Sequence, residues 1–263
     1  MTGGSGGAHR SGLRVEQVSS GVFAVQGIAS TWTLLREGGE VTLVDAGYPA
    51  DLPAVIASIE QVGGGLEALR AVLLTHAHID HLGAVPGLLR RRRVPVLADA
   101  RELPMLHGER REQATPADVL RRIWRPRTAA WAVRIAAAGG LSHVVLPEAQ
   151  ALPSDGPVDL PGRPVPVPAP GHTSGHSAFL LPEEGIVLTG DLLVTAHGTT
   201  AHRGPQLLPS FFHHDLPALP AALEQLAGLE ADAIVPGHGP ARRGPLRGMV
   251  EQALRGAPAA LRG

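Results

Sequence analysis

Residues 75–83 read Thr75-His76-Ala77-His78-Ile79-Asp80-His81-Leu82-Gly83, and they directly follow the apolar run Ala71–Leu74. The apolar run predicts a buried strand, so three imidazoles and one carboxylate stand where that strand ends. His76 and His78 are two residues apart and therefore leave the strand end on the same side. Asp80 and His81 lie further round the turn, where the chain enters a predicted helix. The segment predicts half of a two-metal site, with one metal taking each pair of side chains.

The composition limits how such a site can be built. The chain of 263 residues has no cysteine, which excludes thiolate metal sites, iron–sulfur clusters, a cysteine nucleophile and disulfides together. Any metal must therefore be held by nitrogen and oxygen ligands. Hydrophobic residues make up 44% of the chain and aromatic residues only 3%, so we expect a core built mainly from leucine, valine, isoleucine and alanine.

Charge and hydropathy predict a cytoplasmic protein that acts on a small molecule. The formal net charge of −1 argues against nucleic acid as a partner. The one dense basic run, Arg90–Arg93, stands at the end of a predicted helix, where cations favour the helix dipole. Residues 1–12 predict a flexible tail without the apolar core of a secretion signal. No apolar run approaches the roughly 18 residues of a membrane span, so no membrane partner is expected. The sequence does not indicate the oligomeric state.

The remaining residues, 13–263, predict one domain with two sheets inside and helices outside. Predicted strands include residues 22–26, 31–36, 41–45, 71–74, 94–98, 164–168, 177–181, 186–189 and 233–235, and predicted helices include residues 52–62, 82–91 and 217–229. Residues 101–138 differ in character, with Arg-rich helical patterning and the two tryptophans Trp124 and Trp131. This helical insertion is either a lid that supplies an apolar pocket wall or an ordinary structural helix pair.

Three further motifs follow predicted strands, where a shared site would need them. They are Gly171-His172-Thr173-Ser174-Gly175-His176, Thr189-Gly190-Asp191 and Pro236-Gly237-His238-Gly239. Each presents an imidazole or a carboxylate beside glycines, which permit tight backbone geometry. Taken alone, each motif is typical of a solvated turn. Their joint occurrence in this order indicates one site.

With these motifs the chain resembles the metallo-β-lactamase superfamily over most of its length, including its complete binuclear ligand pattern. The resemblance implies that His76, His78 and His172 hold one metal, that Asp80, His81 and His238 hold the second, and that Asp191 bridges both. It implies that His176 supports the ligands without binding metal, and that Asp45 bonds a ligand imidazole. It also implies an α/β fold, the four-layer αββα sandwich of that family.

The ligand types favour two Zn²⁺ ions per chain, and Fe or Mn also suits them. Two such ions bind a bridging hydroxide near neutral pH, which would act as the nucleophile. The first metal would polarise the scissile carbonyl and the second would stabilise the leaving group, with Asp80 as a proton carrier. We therefore expect a metal-dependent hydrolase of a small ester, lactone or thioester.

Members of the metallo-β-lactamase superfamily catalyse different reactions, so alternative functions remain open. A β-lactamase-like amide hydrolase and a phosphodiesterase share much of the ligand set, and a catalytically inactive binding protein would keep the fold. Glyoxalase II-like thioesterases carry a basic C-terminal region that this chain does not convincingly show. Several lactonases place a tyrosine a few residues after the bridging aspartate, whereas the single tyrosine of this chain, Tyr48, follows Asp45. We expect Tyr48 to lie in the substrate pocket or in a plain turn.

Six histidines remain outside the ligand set. His197 and His202 follow Asp191 in a loop that could edge the pocket, and His197 is the pocket candidate. Surface or loop positions are nonetheless the general expectation for His107, His143, His197, His202, His213 and His214.

Overall fold

The computed structural model describes residues 13–153 and 155–257, so the predicted tail at residues 1–12 lies outside the described residues. The strands are β1 (Arg14–Gln17), β2 (Val22–Gln26), β3 (Thr31–Glu37), β4 (Glu40–Val44), β5 (Leu69–Leu73), β6 (Val96–Ala98), β7 (Gln150–Ala151), β8 (Val165–Pro168), β9 (Ser177–Leu181), β10 (Ile186–Gly190), β11 (Val194–Ala196), β12 (Arg203–Gln206), β13 (Ala233–Pro236) and β14 (Arg242–Arg243). The helices are α1 (Leu52–Gly63), α2 (Ile79–Leu82), α3 (Val85–Leu89), α4 (Leu103–Leu106), α5 (Pro116–Leu120), α6 (Pro126–Ala137), α7 (Leu219–Ala227) and α8 (Leu246–Gly256).

Two large sheets form the centre of the fold. The first has the order β1-β2-β3-β4-β5-β6-β7, antiparallel as far as β4 and parallel from β4 onward. The second has the order β14-β13-β10-β9-β8, with β10 and β13 parallel. A small separate ribbon pairs β11 with β12. In both large sheets the parallel strands end at an edge where loops can meet, as ligand sites in parallel sheets require.

The core lies in three layers, which follow from the alternation of side chains along each strand. Between the sheets, Leu73 of β5 packs in one cluster with Phe179 of β9 and Leu188 of β10. On the outer face of the first sheet, α1 and α3 cover the strands. On the outer face of the second sheet, α7 and α8 do the same. The predicted αββα sandwich is therefore confirmed.

The predicted elements differ from the structure mainly where proline or glycine divides a segment. The helix expected over residues 82–91 is two short helices, α2 and α3, separated by Gly83 and Ala84. Pro86 is the second residue of α3, in the first turn, where the N–H that proline lacks would have no partner within the helix. Residues 217–229 begin as a 3₁₀ turn and continue as α7. Strands β1, β7, β11, β12 and β14 have no matching prediction, since each is only two to four residues long and none contains two adjacent hydrophobic residues.

No helix among the described residues is both long enough and apolar enough to cross a membrane.

Candidate metal centre

The end of β5 is tied to the end of β4 by one carboxylate. Asp45 follows β4 and adopts a left-handed backbone conformation with φ 61°. Its carboxylate accepts hydrogen bonds from the Thr75 backbone N–H at 2.9 Å and the Thr75 hydroxyl at 2.8 Å. It also accepts one from His81 Nδ1 at 2.8 Å. The Asp45 carboxylate, held in place by this left-handed backbone, therefore fixes the turn that carries the histidines.

Three buried imidazoles form the first triad, His76, His78 and His172. Their inward nitrogens lie within 4.8 Å of one another, with His172 Nε2 only 2.9 Å from His78 Nδ1. His76 Nε2 is buried and has no hydrogen-bond partner among the described residues. Two strands from different sheets deliver this triad, since His76 follows β5 and His172 precedes β9.

The second triad consists of Asp80, His81 and His238. The distance from His238 Nε2 to Asp80 Oδ2 is 3.3 Å, and that from His81 Nε2 to the same oxygen is 3.8 Å. His81 Nε2 is buried without a hydrogen-bond partner in the described part of the chain. His238 follows β13, the strand that lies parallel to β10.

Asp191 lies between the two triads. Its Oδ2 is 3.4 Å from His172 Nε2 and 3.2 Å from His238 Nε2, and its Oδ1 is 3.4 Å from His81 Nε2. The backbone N–H of Asp191 donates to His176 Nε2 at 3.0 Å. His176 thus holds the Asp191 backbone, and the other six expected ligands lie in two triads around the Asp191 carboxylate.

The ring nitrogens that point away from the centre are held by the protein. His81 Nδ1 bonds Asp45, His238 Nδ1 bonds the Ala29 carbonyl at 2.8 Å, and His78 Nε2 bonds the Glu112 carbonyl at 3.2 Å. Because these acceptors hold the proton on the outer nitrogen, the inner nitrogen of each ring presents a lone pair to the centre.

The ionisable side chains of the site create an environment that favours bound cations. Burial lowers the pKa of His76 well below its usual range, and neighbouring imidazoles lower it further. Burial also favours the neutral form of His238, but the carboxylates of Asp191 and Asp80 outweigh it and raise the pKa to about 10. Burial likewise opposes ionisation of Asp191, yet His238 and His81 bring its pKa well below its usual range. Without metal, then, the carboxylates retain protons on nearby imidazoles.

Divalent metal ions fit this arrangement. The donors are imidazole nitrogens and carboxylate oxygens, which suit Zn²⁺, Fe and Mn. Unpartnered buried atoms on His76, His81 and Asp191 face the same space. A cation displaces the protons that the imidazoles would otherwise hold, because a ligand must be deprotonated to bind metal. The site as a whole has the character of a metal centre.

Two buried glutamates from the stretch before α5 fix the ligand loops, and neither was predicted. Glu102 accepts hydrogen bonds from the Ala77 backbone N–H at 2.8 Å and the Gly175 backbone N–H at 2.9 Å, and from the Thr173 hydroxyl. Glu112 accepts from the Ser174 backbone N–H at 2.7 Å. Both loops of the first triad are therefore clamped by residues far away in sequence, which no local pattern reveals.

Gly237 is required by the close approach of the chain to the ligands. A Cβ at this position would collide with Asp191 Oδ1 and would lie 2.7 Å from His81 Cε1. The Pro-Gly-His motif therefore serves the site through the absence of a side chain as well as through His238.

A cavity of about 320 Å³ opens beside the metal centre. Its floor includes His78, Asp80, Asp191 and His238, and its apolar wall is formed by Met105, Val119, Trp131, Ile135, Leu208 and Phe212. Tyr48 is buried at the cavity close to Asp80; burial, and next the charges of Asp80 and Asp191, raise its pKa well above the usual range. The cavity thus joins the ligands to a surface suited to an apolar group.

The two tryptophans of the insertion have different environments. Trp131 lies on the inner face of α6, lines the cavity and packs 5.4 Å from His197 and 5.5 Å from Phe212, measured between ring centroids. Trp124 is 74% exposed and does not line the cavity, so its prediction as a pocket residue is wrong. It stands in the turn before α6, where the Arg125 guanidinium lies over its ring at 5.0 Å from the centroid.

The unassigned histidines also divide into two groups. His143, His202 and His214 are exposed, as expected, and His107 is half-buried. His197 and His213 are buried next to the centre, which corrects the expectation of a surface position. His213 Nδ1 lies 3.4 Å from His172 Nδ1, and His213 Nε2 lies 3.1 Å from the Leu208 carbonyl oxygen.

Comparisons with known proteins agree with this geometry. Residues 25–238 match the family described as "Metallo-beta-lactamase superfamily". The chain is 30% identical over 217 residues to the "Probable metallo-hydrolase YflN" of Bacillus subtilis, covering 78% of each chain. It is 28% identical over 232 residues to an atrochrysone carboxyl ACP thioesterase of Aspergillus fumigatus, covering 86% of this chain and 55% of the relative.

Solved structures share the fold. A metallo-β-lactamase from Cronobacter sakazakii superposes with a TM-score of 0.64 at 16% identity, covering 90% of each chain. TTHA1623 in a di-iron-bound form superposes with a TM-score of 0.52 at 28% identity, covering 84% of this chain and 92% of the neighbour.

Proposed function

Because this chain belongs to the metallo-β-lactamase superfamily and is a metallo-hydrolase, we propose that it uses two metal ions to cleave a small carboxylic ester, lactone or thioester. The observation that carries the proposal is the position of Asp191 between two donor triads, beside a cavity with an apolar wall. Two triads sharing one carboxylate suit a pair of ions, and the apolar wall suits an acyl group.

Seven residues would hold the metals: His76, His78 and His172 at one ion, Asp80, His81 and His238 at the other, and Asp191 between the two. Zn²⁺ is our first choice, and the di-iron form of TTHA1623 supports iron as an alternative. When bound, the two ions supply a water molecule ionised near neutral pH and a Lewis acid for the substrate carbonyl.

The protein itself would position the substrate and move the proton. Without metal, burial opposes ionisation of Asp80, yet His81 and His238 lower its pKa to about 2, so this carboxylate is ionised at neutral pH and available to a metal ion. Its Oδ2 faces His238, and Oδ1 would accept a proton and return it to the leaving group. Tyr48, next to Asp80 in the cavity, would donate a hydrogen bond to a substrate oxygen.

The apolar wall would bind the acyl chain. Trp131, Ile135 and Phe212 exclude water from one side of the cavity, which strengthens polar interactions on the other. The thioesterase relative from Aspergillus fumigatus supports a thioester as one substrate class.

We further propose that the substrate is a small molecule of the cytoplasm. Arg92 of the basic run bonds backbone carbonyls near β5, and this run does not line the cavity. Arg110 and Arg111 do line it, so a phosphodiester stays an alternative that the substrate panel tests.

A substrate panel tests this proposal. Zn²⁺-loaded and Fe²⁺-loaded protein would be assayed with an alkyl ester, a lactone, an acyl thioester, a phosphodiester and a β-lactam. We expect turnover of at least one of the first three, lost in Asp191→Asn and retained in the control His202→Gln, an exposed residue that does not line the cavity. Turnover of the phosphodiester or β-lactam alone would overturn the proposed bond type. No turnover by protein that binds both metals would favour a binding protein.

A further inference from the structure

His197 occupies a position at the cavity that no ligand assignment explains. It follows β11 and is buried, with its ring perpendicular to that of His238 at 4.9 Å between centroids. Trp131 and Phe212 enclose it on the other sides, at 5.4 and 5.1 Å. Its side chain lines the cavity together with Asp191 and His238. His197 therefore borders the space in which a substrate would meet the second triad.

The backbone fixes the tautomer of this ring. The Thr199 backbone N–H points at His197 Nδ1 at 3.3 Å, and the Thr199 hydroxyl oxygen lies 2.7 Å from the same nitrogen. A nitrogen that accepts from an N–H carries a lone pair, so the proton of the neutral ring must be on Nε2. Among the described residues Nε2 has no hydrogen-bond partner, and the ring lines the cavity. The protein thus holds an N–H donor ready at the site.

We propose that His197 is a catalytic residue whose Nε2–H donates a hydrogen bond to the leaving-group oxygen or sulfur of the substrate. This inference rests on the proposed function, in which the second triad faces the leaving group. Cleavage of the acyl C–O or C–S bond sends its electron pair to that atom, and the hydrogen bond strengthens as negative charge develops. The proton that finally neutralises the leaving group comes from Asp80, and His197 remains neutral throughout.

This role differs from that of a metal ligand or a packing residue. A ligand would present a lone pair, whereas Nε2 carries hydrogen. A packing residue would affect all substrates alike, whereas a donor to the leaving group matters most when that group is a poor one. The dependence of the rate on the leaving group therefore separates the two roles.

The test compares His197→Phe, which keeps a ring without a donor, with His197→Gln, which restores an N–H near the Nε2 position. His202→Phe, on the exposed part of the same loop, is the matched control. We expect His197→Phe to lower kcat roughly 10²-fold for an alkyl ester, and much less for the nitrophenyl ester of the same acid. His197→Gln should recover part of the loss, and metal content should be unchanged in all three variants.

An equal loss for both esters would overturn the proposal, as would unaltered kcat in His197→Phe. A readout independent of activity is the tautomer, measured by long-range ¹H–¹⁵N NMR of metal-loaded wild-type protein with His197→Gln for assignment. We expect the Nε2–H form, and an Nδ1–H form would overturn the inference. If wild-type protein hydrolyses no ester, lactone or thioester, the proposed function fails, whereas an active enzyme with the wrong tautomer refutes His197 alone.

Discussion

Asp191 contacts imidazoles of both triads because β10 ends beside β13 and both ends face the turn that follows β5. The surrounding residues leave it little freedom. Its backbone N–H bonds His176, and Gly237 passes so closely that a side chain there would collide with it. At the scale of single residues, the centre depends as much on these neighbours as on the ligands themselves.

Asp45→Ala tests the support of the ligand turn. The substitution removes the acceptor of His81 Nδ1–H and two bonds to Thr75, so the ring loses its fixed orientation and tautomer. We expect metal affinity to fall roughly 10- to 100-fold, as removal of such supporting groups typically does. Competition with a chromogenic chelator measures it. Asp99→Ala, at an exposed pair with Arg101, serves as control, and equal affinities for the two variants would contradict this role of Asp45.

The buried carboxyl group of Glu102 should make the free energy of unfolding depend on pH. Burial raises its pKa to about 7 from an ordinary value of 4.5, despite the opposing hydrogen bond from Thr173. The folded chain thus binds this proton more tightly than the unfolded chain does. The stabilising contribution is complete below pH 4.5 and is lost as the pH rises through about 7.

Comparison with Glu102→Gln isolates this contribution. The free energy of unfolding of the wild type, measured relative to the variant, should fall on the order of 2 kcal/mol between pH 5 and pH 8. Urea titration of metal-loaded protein at several pH values measures the difference. A difference that stays constant, or that grows with pH, would show that Glu102 is ionised throughout this range.

Among the elements, α6 determines by its periodicity which tryptophan of the insertion faces the cavity. Thr128 and Trp131 are the buried residues of α6, whereas Trp124 precedes Pro126 in the exposed turn. Helical periodicity therefore accounts for the inward position of Trp131, and it could not have placed Trp124, which the helix does not include.

Trp131→Ala should enlarge the cavity and loosen its wall. We expect a loss of unfolding free energy toward the lower end of the roughly 3–5 kcal/mol seen for buried tryptophans, since one face of Trp131 borders the cavity. The KM for long-chain acyl esters should rise more than that for acetyl esters. Trp124→Ala is the control, with expected changes within about 0.5 kcal/mol. If both variants behave alike, Trp131 is not the pocket wall.

Sequence and structure agree best where ligands stand next to strand ends. His76, His172, Asp191 and His238 adjoin β5, β9, β10 and β13, so local patterns predicted both the strands and the convergence. Glu102, Glu112 and His213 could not be found in this way, because each reaches the site through a tertiary contact that leaves no periodic trace. Short strands such as β11 and β12 were also not predicted, since neither contains two adjacent hydrophobic residues to mark it in the sequence.

At the scale of the whole molecule, the metal centre joins the two sheets. The first sheet contributes the turn that holds His76 to His81, and the second contributes His172, Asp191 and His238. Removal of the metal should therefore lower the stability of the sandwich as well as abolish hydrolytic activity. Chelation is expected to lower the free energy of unfolding by about 4 kcal/mol for each ion removed, relative to protein in Zn²⁺ at a thousand times Kd. Differential scanning calorimetry before and after Zn²⁺ is restored checks this, and an unchanged Tm would contradict it.

The number of metal ions bound per chain tests the central claim most directly. Protein loaded with Zn²⁺ and freed of excess ions would be measured by inductively coupled plasma mass spectrometry against its own sulfur. Two triads that share Asp191 predict two ions per wild-type chain, and Asp191→Asn should retain at most one firmly. A wild-type chain that binds one ion, or none, after loading would contradict the binuclear centre.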